Sequence, residues 1–212
     1  MKQFGFILLF LVVQAQLAAQ KDTMDITGIY FMRGVMETAS VFELKQDSSF
    51  QFFFSQGALD RYGKGTWTIK DGLIVFSSRQ RPAKDFALVS SKQVADDFIT
   101  VRIAEKNSMI LPYTDVSIKS GGKISQHSTD SHGEVQFLKQ HIDTVSLLFR
   151  LCPERASSFA IDNKKHNYFE FGLEPWIAEV FFEKFSLSID DKELKGQHPL
   201  LEGNTFRYVK EK

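Results

Sequence analysis

From residue 42 onward the chain alternates apolar and polar residues with a period of two. Phe42 and Leu44 alternate with Glu43 and Lys45. Phe50, Phe52 and Phe54 share one face of SFQFFFS, and Trp67 and Ile69 alternate with Thr66, Thr68 and Lys70. The pattern returns at Ile99, Val101 and Ile103, at Val145, Leu147, Phe149 and Leu151, and at Phe185, Leu187 and Ile189. Successive side chains of a strand point to opposite faces, so each run predicts a half-buried β-strand. The connections agree. Gln46-Asp47-Ser48-Ser49 reads as a hairpin turn, as do Lys70-Asp71-Gly72 and Ser120-Gly121-Gly122-Lys123, whose glycines accept positive φ. Helix is expected only in two short pieces, Pro153–Ser157 and Pro175–Val180, the latter with proline in the first helical position.

This pattern predicts an all-β, antiparallel protein. The alternation lapses between Ser78 and Asp97, a stretch that carries Pro82 and several charges, with Phe86, Leu88 and Val89 as a last strand of the first unit. A boundary near residue 93 divides the chain into a small domain at 24–93 and a β-sandwich domain at 94–212. The other reading is one continuous two-sheet sandwich with no boundary.

Residues 1–19 have the parts of a cleavable export signal. Lys2 is followed by the apolar run Phe4–Val13 and by QAQLAA, with Leu17 and Ala19 at the −3 and −1 positions of a cut before Gln20. Ten apolar residues reach only about 15 Å as a helix, half of a bilayer core. A buried N-terminal helix is the competing reading. Localisation is therefore expected to be exported, periplasmic or extracellular, with no membrane span after cleavage. Of 21 phenylalanines, all but Phe4, Phe6 and Phe10 lie beyond the cut and supply a large core. The charges balance over the full chain, and loss of Lys2 leaves one negative charge in excess. Balanced, interspersed charge argues against nucleic-acid binding and against a polybasic membrane patch. Cys152 is the only cysteine, so no internal disulfide forms. It is expected to be buried and unpaired.

The segment ELKQDSSFQFFFSQGALDRYGKGTWTIKDGLIVFSS resembles the small β-domain of a family of uncharacterised exported bacterial proteins. The family pattern is an apolar strand, an Asp-Gly-x-Phe hairpin, a Gly-Ala-Leu-Asp loop, then Gly-x-Trp and a further apolar strand. The resemblance covers about residues 28–78 and implies a lipocalin-like meander. Here the hairpin reads Asp47-Ser48-Ser49-Phe50, without the family's glycine. Further on, Thr129-Asp130-Ser131-His132-Gly133-Glu134-Val135-Gln136-Phe137 looks like the hairpin of transthyretin-like or carboxypeptidase-regulatory-like sandwich modules. That resemblance implies an immunoglobulin-like or transthyretin-like sandwich and names no ligand. In its turn, Asp130 would accept backbone N–H groups, Gly133 would supply a left-handed residue, and Val135 and Phe137 would point to the core.

Candidate chemistry is sparse. His127, Asp130 and His132 lie close in sequence, but 127 and 132 straddle a turn, and solvent-exposed turn residues are the expected role. His141 is expected beside Asp143. No G-x-S-x-G elbow is present, and Gly63-x-Gly65 lacks the following helix of a phosphate loop, so these glycines are expected at a turn or bulge. No cofactor and no metal are expected. The loop Gly57–Gly65 places Asp60, Arg61 and Tyr62 between two strong strands. As a rigid hairpin tip it would present a fork donor and an aromatic ring to a partner, with Asp60 orienting Arg61, unless Asp60 and Arg61 only brace the hairpin. Trp176 is either a surface anchor or a core residue.

The expected function is non-catalytic: an envelope protein that binds another protein or a surface glycan through sandwich loops, with Asp60, Arg61, Tyr62 and Trp176 as candidate contacts. One alternative is a carrier of a small apolar ligand in a phenylalanine-lined cavity of the first domain. Another is a hydrolase with an unrecognised site.

Overall fold

The computed structural model describes residues 26–57, 59–203 and 205–211. The expected export signal, residues 1–19, and its cut before Gln20 lie outside these residues. The chain is all-β. Five strands come first: β1 (Gly28–Arg33), β2 (Thr38–Leu44), β3 (Ser49–Gln56), β4 (Leu59–Lys70) and β5 (Leu73–Ser77). Each is paired antiparallel with the next, and three strands from the other end of the chain complete the sheet: β15 (Phe185–Asp190), β16 (Glu193–Gly196) and β17 (Phe206–Lys210). β5 pairs with β15, β15 with β16, β16 with β17, and β17 with β1. The result is a closed eight-stranded antiparallel barrel with no free edge along this circuit.

Between β5 and β15 the chain builds two further four-stranded sheets. In order along the chain these strands are β6 (Phe86–Lys92), β7 (Phe98–Ala104), β8 (Thr114–Ser120), β9 (Lys123–Ser128), β10 (Glu134–Leu138), β11 (Thr144–Phe149), β12 (Ser157–Ala160) and β13 (Tyr168–Leu173). One sheet has the order β10-β7-β13-β6 and the other β12-β11-β8-β9. Their apolar faces share a single core that includes Val101, Phe171, Val116 and Leu147. A two-residue strand, β14 (Glu179–Val180), then runs parallel to β4 before the chain re-enters the barrel.

The division at residue 93 therefore cuts across the pairing. Strands β15–β17 belong with β1–β5, and β6, expected as a last strand of the first unit, pairs with β13 instead. The reason is long-range: five strands leave both barrel edges open, and only the C-terminal strands can close them. The helical expectations also fail. Residues 153–154 and 175–178 form turns. The only helix among the described residues is a short 3-10 segment, Ser108–Tyr113, capped by the Asn107 side chain on the Met109 N–H. Proline and aromatic residues at 175 and 176 serve a turn that delivers Glu179 to β4.

The turns follow the sequence closely. Asp47 Oδ1 accepts from the backbone N–H and hydroxyl of Ser49, and Ser48 takes a positive φ of 62°. Asp130 Oδ1 accepts from the His132 and Glu134 N–H groups, Gly133 has φ 77°, and Val135 and Phe137 are buried.

The barrel is filled rather than hollow. Phe42, Phe50, Phe52, Phe54 and Phe76 all point inward and are at most 2% exposed. Phe182, which lies between β14 and β15, inserts among them with ring centroids 5.2 Å from Phe50 and 5.3 Å from Phe52. Gly63 and Gly65 occupy neither a turn nor a bulge: both lie within β4. A Cβ on Gly63 would stand 2.7 Å from the Phe182 ring, and one on Gly65 would stand 2.1 Å from the Ser77 carbonyl oxygen. The glycines are gaps that Phe182 and β5 fill.

Because closure needs strands from both chain ends, a fragment of residues 24–93 is expected to show no cooperative thermal transition, whereas residues 24–212 melt cooperatively. Circular dichroism melts of the two decide the point, and a cooperative melt of the short fragment would contradict the closed-barrel account.

Candidate functional site

β4 alternates across the barrel wall, and this settles where the candidate residues lie. Asp60, Tyr62 and Lys64 face outward, while Arg61, Gly63 and Gly65 face inward. The hairpin tip is at Gly57 (φ 59°), and 59–65 belong to the strand itself. Arg61 is therefore no presented tip residue. It is 3% exposed, its Nε donates to the Ala178 carbonyl at 3.0 Å, and its Nη1 meets Glu154 Oε1 at 2.8 Å. Glu154, from the inserted part, takes the role expected of Asp60. A hairpin this strongly apolar read as two strands with a polar loop between them, but strand alternation continues through the polar residues.

Arg61 belongs to a charged seam between the barrel and the inserted sheets. Arg79 Nη2 donates to Glu179 Oε2 at 2.7 Å, and Glu179 is only 4% exposed. Arg81 and Arg155 both reach the buried carboxylate of Asp85, Arg155 at 2.5 Å and Arg81 at 3.1 Å, and Arg155 also donates to the Pro82 carbonyl. The guanidinium carbon of Arg79 stacks 5.0 Å from the Phe181 ring centroid and that of Arg81 5.5 Å. Cys152 lies nearby, free and buried, and burial pushes its thiol up to about 11. At neutral pH it is a protonated thiol and not a nucleophilic thiolate. Trp176 is half-buried. Its Nε1 donates to the Lys84 carbonyl at 2.9 Å, which ties turn 175–178 to the segment entering the insertion.

Two adjoining clefts open along this seam. One, of about 260 Å³, is lined by Arg61, Arg81, Glu154 and Glu179 together with Phe182 and Phe185. The other, of about 410 Å³, lies at the barrel mouth and is lined by Arg61, Glu154, Phe54 and His198. His198 is 6% exposed. Its Nδ1 accepts from the Leu200 and Leu201 N–H groups, both at 3.0 Å, which places the proton on Nε2 for donation to Ser40 Oγ, also at 3.0 Å. Ser40 Oγ in turn meets the Tyr208 hydroxyl at 3.2 Å. Desolvation lowers the His198 ring to about 4.

The outer wall of the barrel carries a second arrangement that the sequence reading missed. Register places Val209 opposite Phe31, Phe31 opposite Val41, Val41 opposite Phe53, and Phe53 opposite Tyr62. All five side chains face outward, across β17, β1, β2, β3 and β4. At about 4.8 Å per strand the row runs about 19 Å. Phe53 and Tyr62 are each 43% exposed. One flank reads Ile29, Glu43, Gln51, Lys64; the other has Arg207 opposite Arg33 on β17 and β1, and Ala39, Ser55 and Asp60 in register on β2, β3 and β4. The Arg33 guanidinium sits 5.6 Å from the Phe31 ring centroid. Tyr62 completes the row, its hydroxyl donating to the Pro175 carbonyl at 2.9 Å. Only the outward position of every strand was legible beforehand; which outward residues line up depends on register.

The remaining candidates are dispersed. His127 packs its ring 5.1 Å from Phe137, while Asp130 is held by its own turn. Among the described residues no group of three or more His, Cys, Asp or Glu side chains is arranged around a common metal position. His141 Nε2 meets Asp143 Oδ1 at 3.0 Å, and both are exposed. No helix of the described residues is long and apolar enough to cross a membrane. No protein-family model matches the chain, and no curated protein matches it either.

Two outcomes follow from these contacts. Arg61→Ala removes one of two donors to the Ala178 carbonyl, which keeps the Tyr62 N–H, and takes the ion-pair partner from half-buried Glu154, so it is expected to destabilise the fold by about 1–3 kcal/mol. Urea unfolding measures this, and a loss below about 0.5 kcal/mol would remove Arg61 from the structural role. For His198 the folded ring titrates below its ordinary value, so the unfolded chain binds the proton first as pH falls. Its contribution is complete above about pH 6.5 and is lost between there and about pH 4, amounting to about 2 kcal/mol between pH 7 and pH 5. The difference in unfolding free energy between wild type and His198→Gln should narrow by that amount over this interval; a constant difference would refute the assignment.

Proposed function

We propose that this is a non-catalytic exported protein of the cell envelope that binds another protein. The observation that carries this reading is the in-register row Val209, Phe31, Val41, Phe53 and Tyr62 on the outer barrel wall. An apolar strip with two half-exposed rings and a rim of charged and amide side chains has the anatomy of a protein interface, with an aromatic centre and a polar border. Mixed aliphatic and aromatic side chains favour a protein over a glycan, which would stack on rings alone. The surface is on the barrel rather than on loops of the two-sheet part. Asp60 on its rim and Tyr62 at its end are candidate contacts; Arg61 supports β4 from within. Trp176, in the turn that accepts the Tyr62 hydroxyl, fixes that end of the row.

Export is supported by the charged start, apolar run and small-residue cut of residues 1–19. A lipocalin-like form for the barrel is supported by its eight antiparallel strands, and a sandwich reading of the insertion by the core its two sheets share. The filled barrel interior weighs against an apolar-ligand carrier. The pairing of the seam carboxylates Asp85, Glu154 and Glu179 with arginines weighs against acid–base hydrolysis, since each is held as an acceptor.

Capture from envelope extract by immobilised wild-type protein tests the reading against Phe53→Asp and Tyr62→Ala. A protein retained by the wild type should bind each variant at least about 1 kcal/mol more weakly, with melting temperatures unchanged. A captured protein that both variants retain equally would dismiss the row as its interface. Selective retention of a glycan in its place would assign the row to that class.

A further inference from the structure

We propose that the turn His198–Leu201 is an acid-released latch, which closes the barrel mouth at neutral pH and lets go when the His198 ring takes a second proton. The turn lies in the connection from β16 to β17, and its amides are held by that ring: the Leu200 and Leu201 N–H groups both donate to Nδ1 at 3.0 Å. Among the described residues no backbone–backbone hydrogen bond ties 198–201 to another segment. Nε2 is already a donor, 3.0 Å from Ser40 Oγ, so the second proton goes to Nδ1. There it meets two N–H groups aimed at the same nitrogen, and three donors face one another with no acceptor between them. Departure of the turn removes the conflict. The two amides pass to water, while Nε2 keeps its bond to Ser40.

The surroundings hold no counter-charge for an imidazolium. Phe54 and Phe206 pack against the buried ring at 5.2 and 5.4 Å between centroids, and Phe52 at 6.1 Å. From β17, Tyr208 stacks at 6.3 Å and turns its hydroxyl to Ser40 of β2. Arg61 of β4 and Glu154 of the 153–154 turn share the cleft with the ring but are paired with each other at 2.8 Å. Glu202, from the same connection, is exposed at the rim. Burial is therefore what lowers the ring from 6.5 to about 4. With the turn gone, water reaches Nδ1 and the ring moves back toward its ordinary value. The open form thus binds the proton more tightly, and acid favours it by at most about 300-fold, the full difference between 6.5 and about 4. The latch is complete above about pH 6.5 and weakens as pH falls toward about 4. Pro199 and Leu200 line both seam clefts, so their departure merges the two and uncovers Phe54 and Phe182. The device belongs to the barrel mouth and does not depend on the outer-wall row.

Nitrogen-15 NMR on the full mature chain, taken down in pH from neutrality, tests this. Ring nitrogen shifts are expected to show His198 protonated on Nε2 alone at neutral pH, and to follow it to the doubly protonated form with a midpoint between about pH 4 and about pH 6.5. Over the same interval the Leu200 and Leu201 amide order parameters are expected to fall from about 0.85 to below about 0.6, while those of Phe52 and Tyr208 stay at about 0.85. His198→Asn keeps a side-chain acceptor for the two amides and removes the titration, so its turn is expected to stay ordered throughout. Should that variant misfold or leave the turn loose at neutral pH, the wild-type ring and amide titrations decide alone. The proposal is overturned if Nδ1 carries the proton at neutral pH, or if the barrel unfolds before the ring takes a second proton. It is equally overturned if Leu200 and Leu201 stay ordered while the ring titrates, if Phe52 and Tyr208 lose order with them, or if an ordered His198→Asn turn opens at the wild-type midpoint.

Discussion

The architecture rests on one close approach, where Gly65 of β4 lets the backbone of β5 come so near that a Cβ would stand 2.1 Å from the Ser77 carbonyl oxygen. With that contact made, β4 pairs with β3 along its first half and with β5 along its second, and β5 is left to take β15 on its other edge. Closure of the barrel follows, and so does the place where the insertion departs and returns. Ser78 ties this neck together. Its N–H donates to the Phe182 carbonyl at 2.8 Å, its hydroxyl donates to the Lys64 carbonyl at 2.7 Å, and that hydroxyl accepts from the Phe182 N–H at 3.1 Å. Phe182 then enters the barrel over Gly63. A single strand with two glycines thus sets closure, the neck and the packing of the interior.

Around the neck, the fold spends charge where it would ordinarily place apolar side chains. A guanidinium or carboxylate withdrawn from water is tolerable only with a partner at hydrogen-bond distance. Arg61, Asp85 and Glu179 are each nearly inaccessible, and each meets its counter-charge from another stretch of chain. Such contacts favour one placement of the inserted sheets against the barrel, because a shifted placement would strand the same charges. Two atoms of this seam, Glu179 Oε1 and Arg81 Nε, are buried without a hydrogen-bond partner and stand as exceptions to this rule.

β4 gives the protein two different faces from consecutive residues. Arg61 looks into the charged seam while Tyr62 looks out to the end of the apolar row. The period of two makes this unavoidable: any strand of a closed barrel must serve the interior and the surface in turn. It also explains why adjacent residues that seem to form one recognition pair in sequence are divided between two environments in the fold.

The all-β class, the alternating runs within several strands and the turn chemistry were determined by local sequence. Phe50, Phe52 and Phe54 had to share a face, Asp47 and Asp130 had to accept backbone N–H groups, and Cys152 between an apolar strand and a proline was destined for burial. These are matters of period and of side-chain reach within a few residues. Tertiary structure alone decided the closure of β1–β5 by β15–β17, the filling of Gly63 by Phe182, and the replacement of Asp60 by Glu154 as the partner of Arg61. The aromatic row and the unpartnered Glu179 were equally invisible, since one depends on register across five strands and the other on how the inserted sheets meet the barrel. Pairing across long sequence separations is selected by the summed burial and hydrogen bonding of the whole sheet, and no local window of residues carries that sum.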